Sequence, residues 1–222
     1  MRLIAAIAVI GALLFPEGAS AQQAEARKEY SLTVSVHSDL PRLKRAEVEE
    51  ILQGASDLLK DDNDCDVRFK LKGQIQTFGS PSTPAVITTA EERDAVHAVN
   101  ADVKVVEEIE FCRPDLHAPH FNGCAYPAQA GSRSIIVSHK RARTPQLRSI
   151  LWAHEFGHRT GLHHRGEQDA LMSGCGGLWG DMTDVSREEC RCFRLGPGGC
   201  PRAPSDESCS HQPRLRRSLP HQ

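Results

Sequence analysis

The sequence predicts an α+β fold: a mixed, twisted sheet with helices packed on it and a last helix near the C-terminus, stabilised by disulfides. Three observations carry that reading. Segments of period-2 hydrophobicity alternate with segments of helical periodicity from Ser31 to about residue 160, the pattern of a sheet covered by helices. Hydrophobic residues make up 39% of the 222, enough for one real core and too many for a disordered chain. Eight cysteines are present, a number usual in exported proteins and unusual in cytosolic ones. The formal net charge of −2 argues against a dedicated nucleic-acid binder, which is ordinarily strongly basic.

The N-terminus accounts for the cysteines. Arg2, an apolar run from Leu3 to Phe15, the helix breaker Pro16 and the small residues Ala19-Ser20-Ala21 read as a secretory signal. The expected signal peptide is residues 1–21, cut after Ala21. Its apolar run falls short of the ~18 residues that a bilayer span needs, and no later segment approaches that length. No membrane span is therefore expected after signal removal, and the protein is expected to be secreted or periplasmic. Cys65, Cys112, Cys124, Cys175, Cys190, Cys192, Cys200 and Cys209 all follow the signal. About four disulfides are expected, with their pairing left open. Cys190-Arg-Cys192 has one residue between its thiols, unlike a zinc knuckle.

Residues 22–30 are a polar lead-in, and Ser31–Val36 alternates strictly, as a strand does. Asp39 and Pro41 signal a helix start. Leu43, Val48, Ile51, Leu52, Ala55, Leu58 and Leu59 then recur at helical spacing to about Lys60. Cys65–Phe78 alternates again, a long strand interrupted at Gly73. Gly79–Pro84 reads as a turn, Ala85–Thr88 as a short strand, Glu91–Asn100 as a short helix and Val103–Val106 as another strand. Pro114, Pro119, Gly123 and Pro127 make Cys112–Gly131 mostly loop. Ser134–Ser138 is strand-like, and Thr144 caps a helix whose first turn holds Pro145. Ser186-Arg-Glu-Glu189 reads as a capping box that opens the last helix. Beyond Arg194 the chain is rich in Pro, Gly and Ser, so 196–222 is expected to be a flexible basic tail, pinned by Cys200 and Cys209. Glu107, Glu108 and Glu110 read as an exposed strand edge, and His139–Arg143 as a solvated basic loop.

One segment carries the chemistry: His154-Glu155-Phe156-Gly157-His158-Arg159-Thr160-Gly161-Leu162-His163-His164. Positions four apart project from one helix face, so His154 and His158 reach the same metal ion. Glu155 is held beside them without needing to bind. Gly161 ends the helix in the left-handed conformation, and the turn brings His164 back as a third nitrogen ligand. Three protein ligands leave a position open to water, the mark of a catalytic zinc rather than a structural one. Glu155 then stands as general base. Five fixed residue types at these positions arise by chance in such a chain on the order of once in ten thousand. His163 fits the spacing less well and reads as a surface residue or one behind the ligands.

This segment resembles the metzincin signature H-E-x-x-H-x-x-G-x-x-H, and Ala170-Leu171-Met172 resembles that clan's Met-turn. Met172 follows His164 by eight residues, a short interval similar to that of the matrixin branch. The resemblance implies a zinc endopeptidase acting on protein or peptide substrates. One catalytic Zn2+ would be held by His154, His158 and His164, with Glu155 as general base and acid and Met172 as an apolar floor. It implies a metzincin-like catalytic domain over residues 22–195, with an active-site helix and a C-terminal helix. Gly123-Cys-Ala-Tyr-Pro127 is similar to the edge strand along which the family binds extended peptides. Gly123, Ala125 and Tyr126 are thus candidate substrate-binding residues, an ordinary disulfide-linked loop being the other reading. By the same analogy Trp179, within Ser173–Thr183, forms part of the wall of a substrate side-chain pocket.

The resemblance has limits. Gln22 to Asp64 contains no cysteine, so a propeptide thiolate switch of the matrixin kind is not expected. The structural zinc and calcium loops of matrixins have no clear counterpart, which leaves structural calcium open. Gly174 stands where astacin-like relatives carry a tyrosine. Two alternatives stay open: a cysteine-rich secreted binding protein with a structural or vestigial zinc, and a zinc amidase acting on small or cell-wall peptides. A monomer is expected.

Overall fold

The alternating stretch near the N-terminus yields two consecutive strands instead of one, β1 (Lys28–Leu32) and β2 (Val34–His37). They part at Thr33, whose amide and hydroxyl both donate to Asp102 Oδ2, at 2.9 and 2.7 Å. The computed structural model of the chain describes residues 27–61, 65–114, 120–125, 134–174 and 180–200. The expected signal peptide, Tyr126, Trp179, Cys175, Cys209 and the tail beyond Cys200 lie outside the described residues. The second alternating stretch is likewise divided, into β3 (Val67–Leu71) and β4 (Gln76–Phe78). Gly73 takes φ +71° between them. β1 pairs with β3 and β2 with β4, both parallel.

The remaining strands are β5 (Val86–Ile87), β6 (Val103–Val106), β7 (Glu108–Ile109), β8 (Gly123–Ala125) and β9 (Ile135–Ser138). Five strands form the central sheet in the order β4-β2-β6-β9-β8. Its first four are parallel, and β8 runs antiparallel to β9 along one edge. β5 and β7 form a separate parallel pair. Strands β2, β6 and β9 are buried throughout, as parallel strands covered on both faces are.

Val34, Val36, Val103, Val105, Ile135 and Val137 share the main core with helices α1 (Arg45–Asp61) and α3 (Pro145–Thr160). Val106 and Ile136 enter a second core with Ile87, Ile109 and Val96 of α2 (Ala90–Ala98). Between them on β6, Lys104 is buried and donates to the His97 carbonyl at 3.0 Å. Burial pushes its amine down to about 8. The last helix, α4 (Arg187–Leu195), opens with the expected capping box: Glu189 N donates to Ser186 Oγ at 3.2 Å, and Ser186 N to Glu189 Oε2 at 2.7 Å.

Three disulfides lie among the described residues. Cys65–Cys190 ties the start of β3 to α4, Cys112–Cys124 ties the chain after β7 to the edge strand, and Cys192–Cys200 closes the end of α4.

Two expectations are corrected. Glu108 is buried at 6% exposure, not on an exposed edge. It can be buried because Lys140, Arg141 and His120 gather on its carboxylate. Lys140 and Arg141 accordingly form ion pairs and not a merely solvated loop. Residues 196–200 are bonded to the end of α3: Gly198 N donates to Arg159 O at 3.1 Å and Cys200 N to Thr160 O at 3.0 Å.

Candidate metal centre and active site

Helix α3 begins where the sequence says it should. Thr144 Oγ1 accepts from Leu147 N at 3.2 Å, and Pro145 occupies the first turn. It ends at Gly161, with φ 110° and ψ 5°, a conformation that a side chain would strain. Ile150, Leu151 and Phe156 bury one face of it in the main core, and that anchoring sets the direction of the two helical imidazoles.

His154, His158 and His164 meet behind the sheet's edge strand. His158 Nε2 lies 3.1 Å from His154 Nε2 and 3.0 Å from His164 Nε2. His154 Nδ1 lies 2.7 Å from the Leu171 carbonyl, and His158 Nδ1 lies 2.8 Å from the Leu162 carbonyl. A carbonyl only accepts, so both Nδ1 atoms carry the proton and both Nε2 atoms turn a lone pair inward. Lone pairs crowded to 3 Å repel unless a cation lies among them. Burial, and then the neighbouring imidazoles, hold His154 down to about 4 and His158 well below the ordinary histidine range. These two rings are thus neutral at neutral pH, the form in which an imidazole can bind a metal. The donor set fits a zinc ion on chemistry and on convergence.

Glu155 is buried at 4% exposure, and burial pushes its carboxyl up to about 8. That value belongs to the pocket without a cation, since a positive ion nearby favours the carboxylate. The side chain lies against the backbone of Gly123 on β8, where a Cβ would overlap it. Met172 is fully buried, with its sulfur against Gly157, the α3 residue just before His158.

The loop after His164 is fastened by Arg165. Its amide donates to the Met172 carbonyl at 2.7 Å, and its own carbonyl accepts from Gly174 N at 3.1 Å. Its guanidinium reaches Glu189 at 2.7 Å, Asp184 at 2.8 Å and Glu167 at 3.1 Å. A single residue therefore ties the His164 segment to the Met172 turn and to α4. Sequence reasoning missed it, because two of its partners lie 19 and 24 positions away.

A cavity of about 180 Å3 opens onto this cluster. His120, Phe121, Asn122 and Gly123 contribute from the edge-strand side of the sequence. Leu151, His154 and Glu155 come from α3, and His164, Ser173, Gly174 and Met182 from the chain beyond it. The structure thus brings Gly123 together with His154, Glu155 and His164. Ala125 is not part of the cavity lining and packs, partly buried, against the main core. His163 is half-buried and outside the imidazole cluster. His120 was also missed, since a lone histidine in a proline-rich loop carries no periodic signal.

No family model matches the sequence, and no curated protein does. Among solved structures, the fold is similar to that of archaemetzincin from Methanopyrus kandleri. That match has 17% identity and a TM-score of 0.50, and covers 81% of this chain and 97% of that one. Mature mirolysin from Tannerella forsythia, solved with a cleaved peptide, is similar at 12% identity and a TM-score of 0.50, covering 76% and 91%. The chain shares the fold of these two structures.

Proposed function

We propose that the protein is a zinc-dependent endopeptidase that acts on extended protein or peptide substrates outside the cytoplasm. The observation that carries this is the convergence of three imidazole Nε2 atoms beside a buried carboxylate, at the head of a cavity bounded by a sheet edge. His154, His158 and His164 would hold the ion. When bound, zinc supplies a Lewis acid that acidifies water and polarises a carbonyl.

Glu155 takes a proton from the attacking water as its oxygen bonds to the carbonyl carbon. It later gives that proton to the amine nitrogen as the C–N bond breaks. Gly123 allows it the room it occupies. Among the described residues β8 pairs with β9 on one side only, so its other edge offers backbone groups to a peptide laid alongside. That favours extended substrates over small amides. Met172 underlies the site as an apolar floor, and the short interval from His164 to Met172 supports a matrixin-like branch. Residues 22–195 form the catalytic domain in this reading, exported by the signal at 1–21, with Tyr126 and Trp179 as further substrate contacts.

Glu155→Ala is expected to keep one zinc per chain and to lose cleavage of a mixed peptide library. Chelation is expected to abolish wild-type cleavage. A fully active Glu155→Ala, or an oxidised, purified chain that takes up no zinc, would defeat the proposal.

A further inference from the structure

One residue of the cavity has no part in the chemistry above. The bridge between Ile109 and Phe121, with Phe121 N donating to Ile109 O at 2.7 Å, is antiparallel. In that register Glu108, Glu110, His120 and Asn122 share one face, because side chains alternate along extended chain. Ile109 and Phe121 take the other face and enter the second core. His120 thereby lines the same cavity as His154, Glu155 and His164. Its Nδ1 lies 2.8 Å from Oε1 of the buried Glu108.

A carboxylate accepts and never donates, so the Nδ1 of His120 is held protonated and the ring is oriented. Glu108 is fixed in turn by Lys140 and Arg141. Nε2 is left to the cavity. Glu108, Glu110 and His120 also hold their ligand-type atoms within 4.8 Å of one another. A second cation there would have to displace or sit beside the ammonium and guanidinium that already neutralise Glu108. The imidazole, not a metal, is the functional group of this cluster.

We propose that His120 is a catalytic residue of the peptidase: as the imidazolium, paired through Nδ1–H with the Glu108 carboxylate, it donates from Nε2–H to the oxygen of the scissile carbonyl as negative charge develops on it, with Glu108 as the positioning residue. The inference rests on the peptidase reading. The bond strengthens as the oxygen becomes an anion, so it acts on the transition state more than on the bound substrate. The groups that set the charge of the ring are Glu108 and Glu110, which face it, and Lys140 and Arg141, which face Glu108.

The test uses the zinc-loaded mature chain. His120→Phe keeps the ring's volume and removes both nitrogens. It is expected to lower kcat by about a hundredfold, the loss typical of an oxyanion donor, with KM unchanged and one zinc retained. Affinity for a phosphinic peptide, a tetrahedral mimic, should fall by a similar factor. Affinity for an uncleaved peptide, measured in a Glu155→Gln background, should not. Glu108→Gln, checked for folding by its melting temperature, should lower kcat by a smaller factor, about tenfold. Wild-type kcat in His120→Phe, a loss confined to KM, or a second zinc ion lost on that substitution would each overturn the inference. If wild-type protein itself shows no chelator-sensitive cleavage, the peptidase reading falls and this inference with it.

Discussion

Gly123 of the edge strand lies directly against the carboxylate of Glu155, so closely that a Cβ on Gly123 would overlap Oε1, Cδ and Cγ of that side chain. A residue of the sheet edge and one of the helix thus share a single space. Gly123→Ala forces Glu155 to move, since the flexible carboxylate yields before the backbone does. We expect kcat/KM to fall tenfold or more, about 1.4 kcal/mol of lost transition-state stabilisation. Zinc content should be unchanged. Steady-state kinetics alongside metal analysis decides it, and full activity in Gly123→Ala would contradict this placement.

Met172 and Gly157 form a second close pair. A Cβ on Gly157 would overlap Met172 Sδ and come within 3.1 Å of Met172 Cε and 3.2 Å of Phe193 Cζ. Gly157→Ala gains about 1 kcal/mol in helix propensity but overpacks a fully buried site at a cost of about 1–3 kcal/mol. Met172→Ala alone leaves a cavity and costs about 2–5 kcal/mol. In the double variant the new methyl fills vacated space, so its loss should be smaller than the two single losses added. Urea unfolding of all four proteins measures the coupling, and strict additivity would contradict the contact.

Arg165 bonds three carboxylates while its backbone brackets the turn that holds Met172. Arg165→Gln strands the buried Glu189 without its cation. Breaking one side of such a pair costs about 3–5 kcal/mol when fully buried, and Arg165 is partly exposed, so about 2–3 kcal/mol is expected. Because His164 precedes it directly, zinc affinity should fall tenfold or more. Competition against a chromophoric chelator reports that loss. An Arg165→Gln protein with wild-type zinc affinity would show that His164 is positioned without it.

His97 gives the fold an acid sensitivity. Burial, followed by the charges of Lys104 and Arg93, holds it down to about 3. Unfolded chain takes up that proton below about 6.5, while the folded protein resists it until about 3. The unfolded state therefore binds more protons across that window, and stability falls as pH drops from 6.5 toward 3. The loss attributable to this group is a few kcal/mol. His97→Asn keeps a polar atom near Ser134, which bonds His97 Nδ1 at 3.1 Å, and does not titrate. Its stability relative to wild type should improve steadily over that range, as measured by urea unfolding at successive pH values. A constant difference would contradict it.

Much of the molecule is legible along the chain. The strand at Ser31–Val36, the break at Gly73, the Thr144 cap, the Gly161 stop and the Ser186 box are local rules, and each is seen at or beside its expected place. The burial of Glu108 is not local: its compensating charges come from residues 12 to 33 positions away. For the same reason the first alternating run hides its division at Thr33, which is made by Asp102 from 69 positions on.

By itself the sequence determined which residues can share a helix face, where that helix starts and stops, and hence that His154, His158 and His164 can approach one point. It did so because helical spacing and a left-handed glycine are properties of neighbouring residues. Only the tertiary structure decided what surrounds that point: the edge strand against Glu155, the carbonyls of Leu162 and Leu171 that orient two imidazoles, the Arg165 clamp and the Glu108–His120 pair. Those contacts join distant segments, and their strength depends on burial and on charges that the sheet and helices bring together on folding.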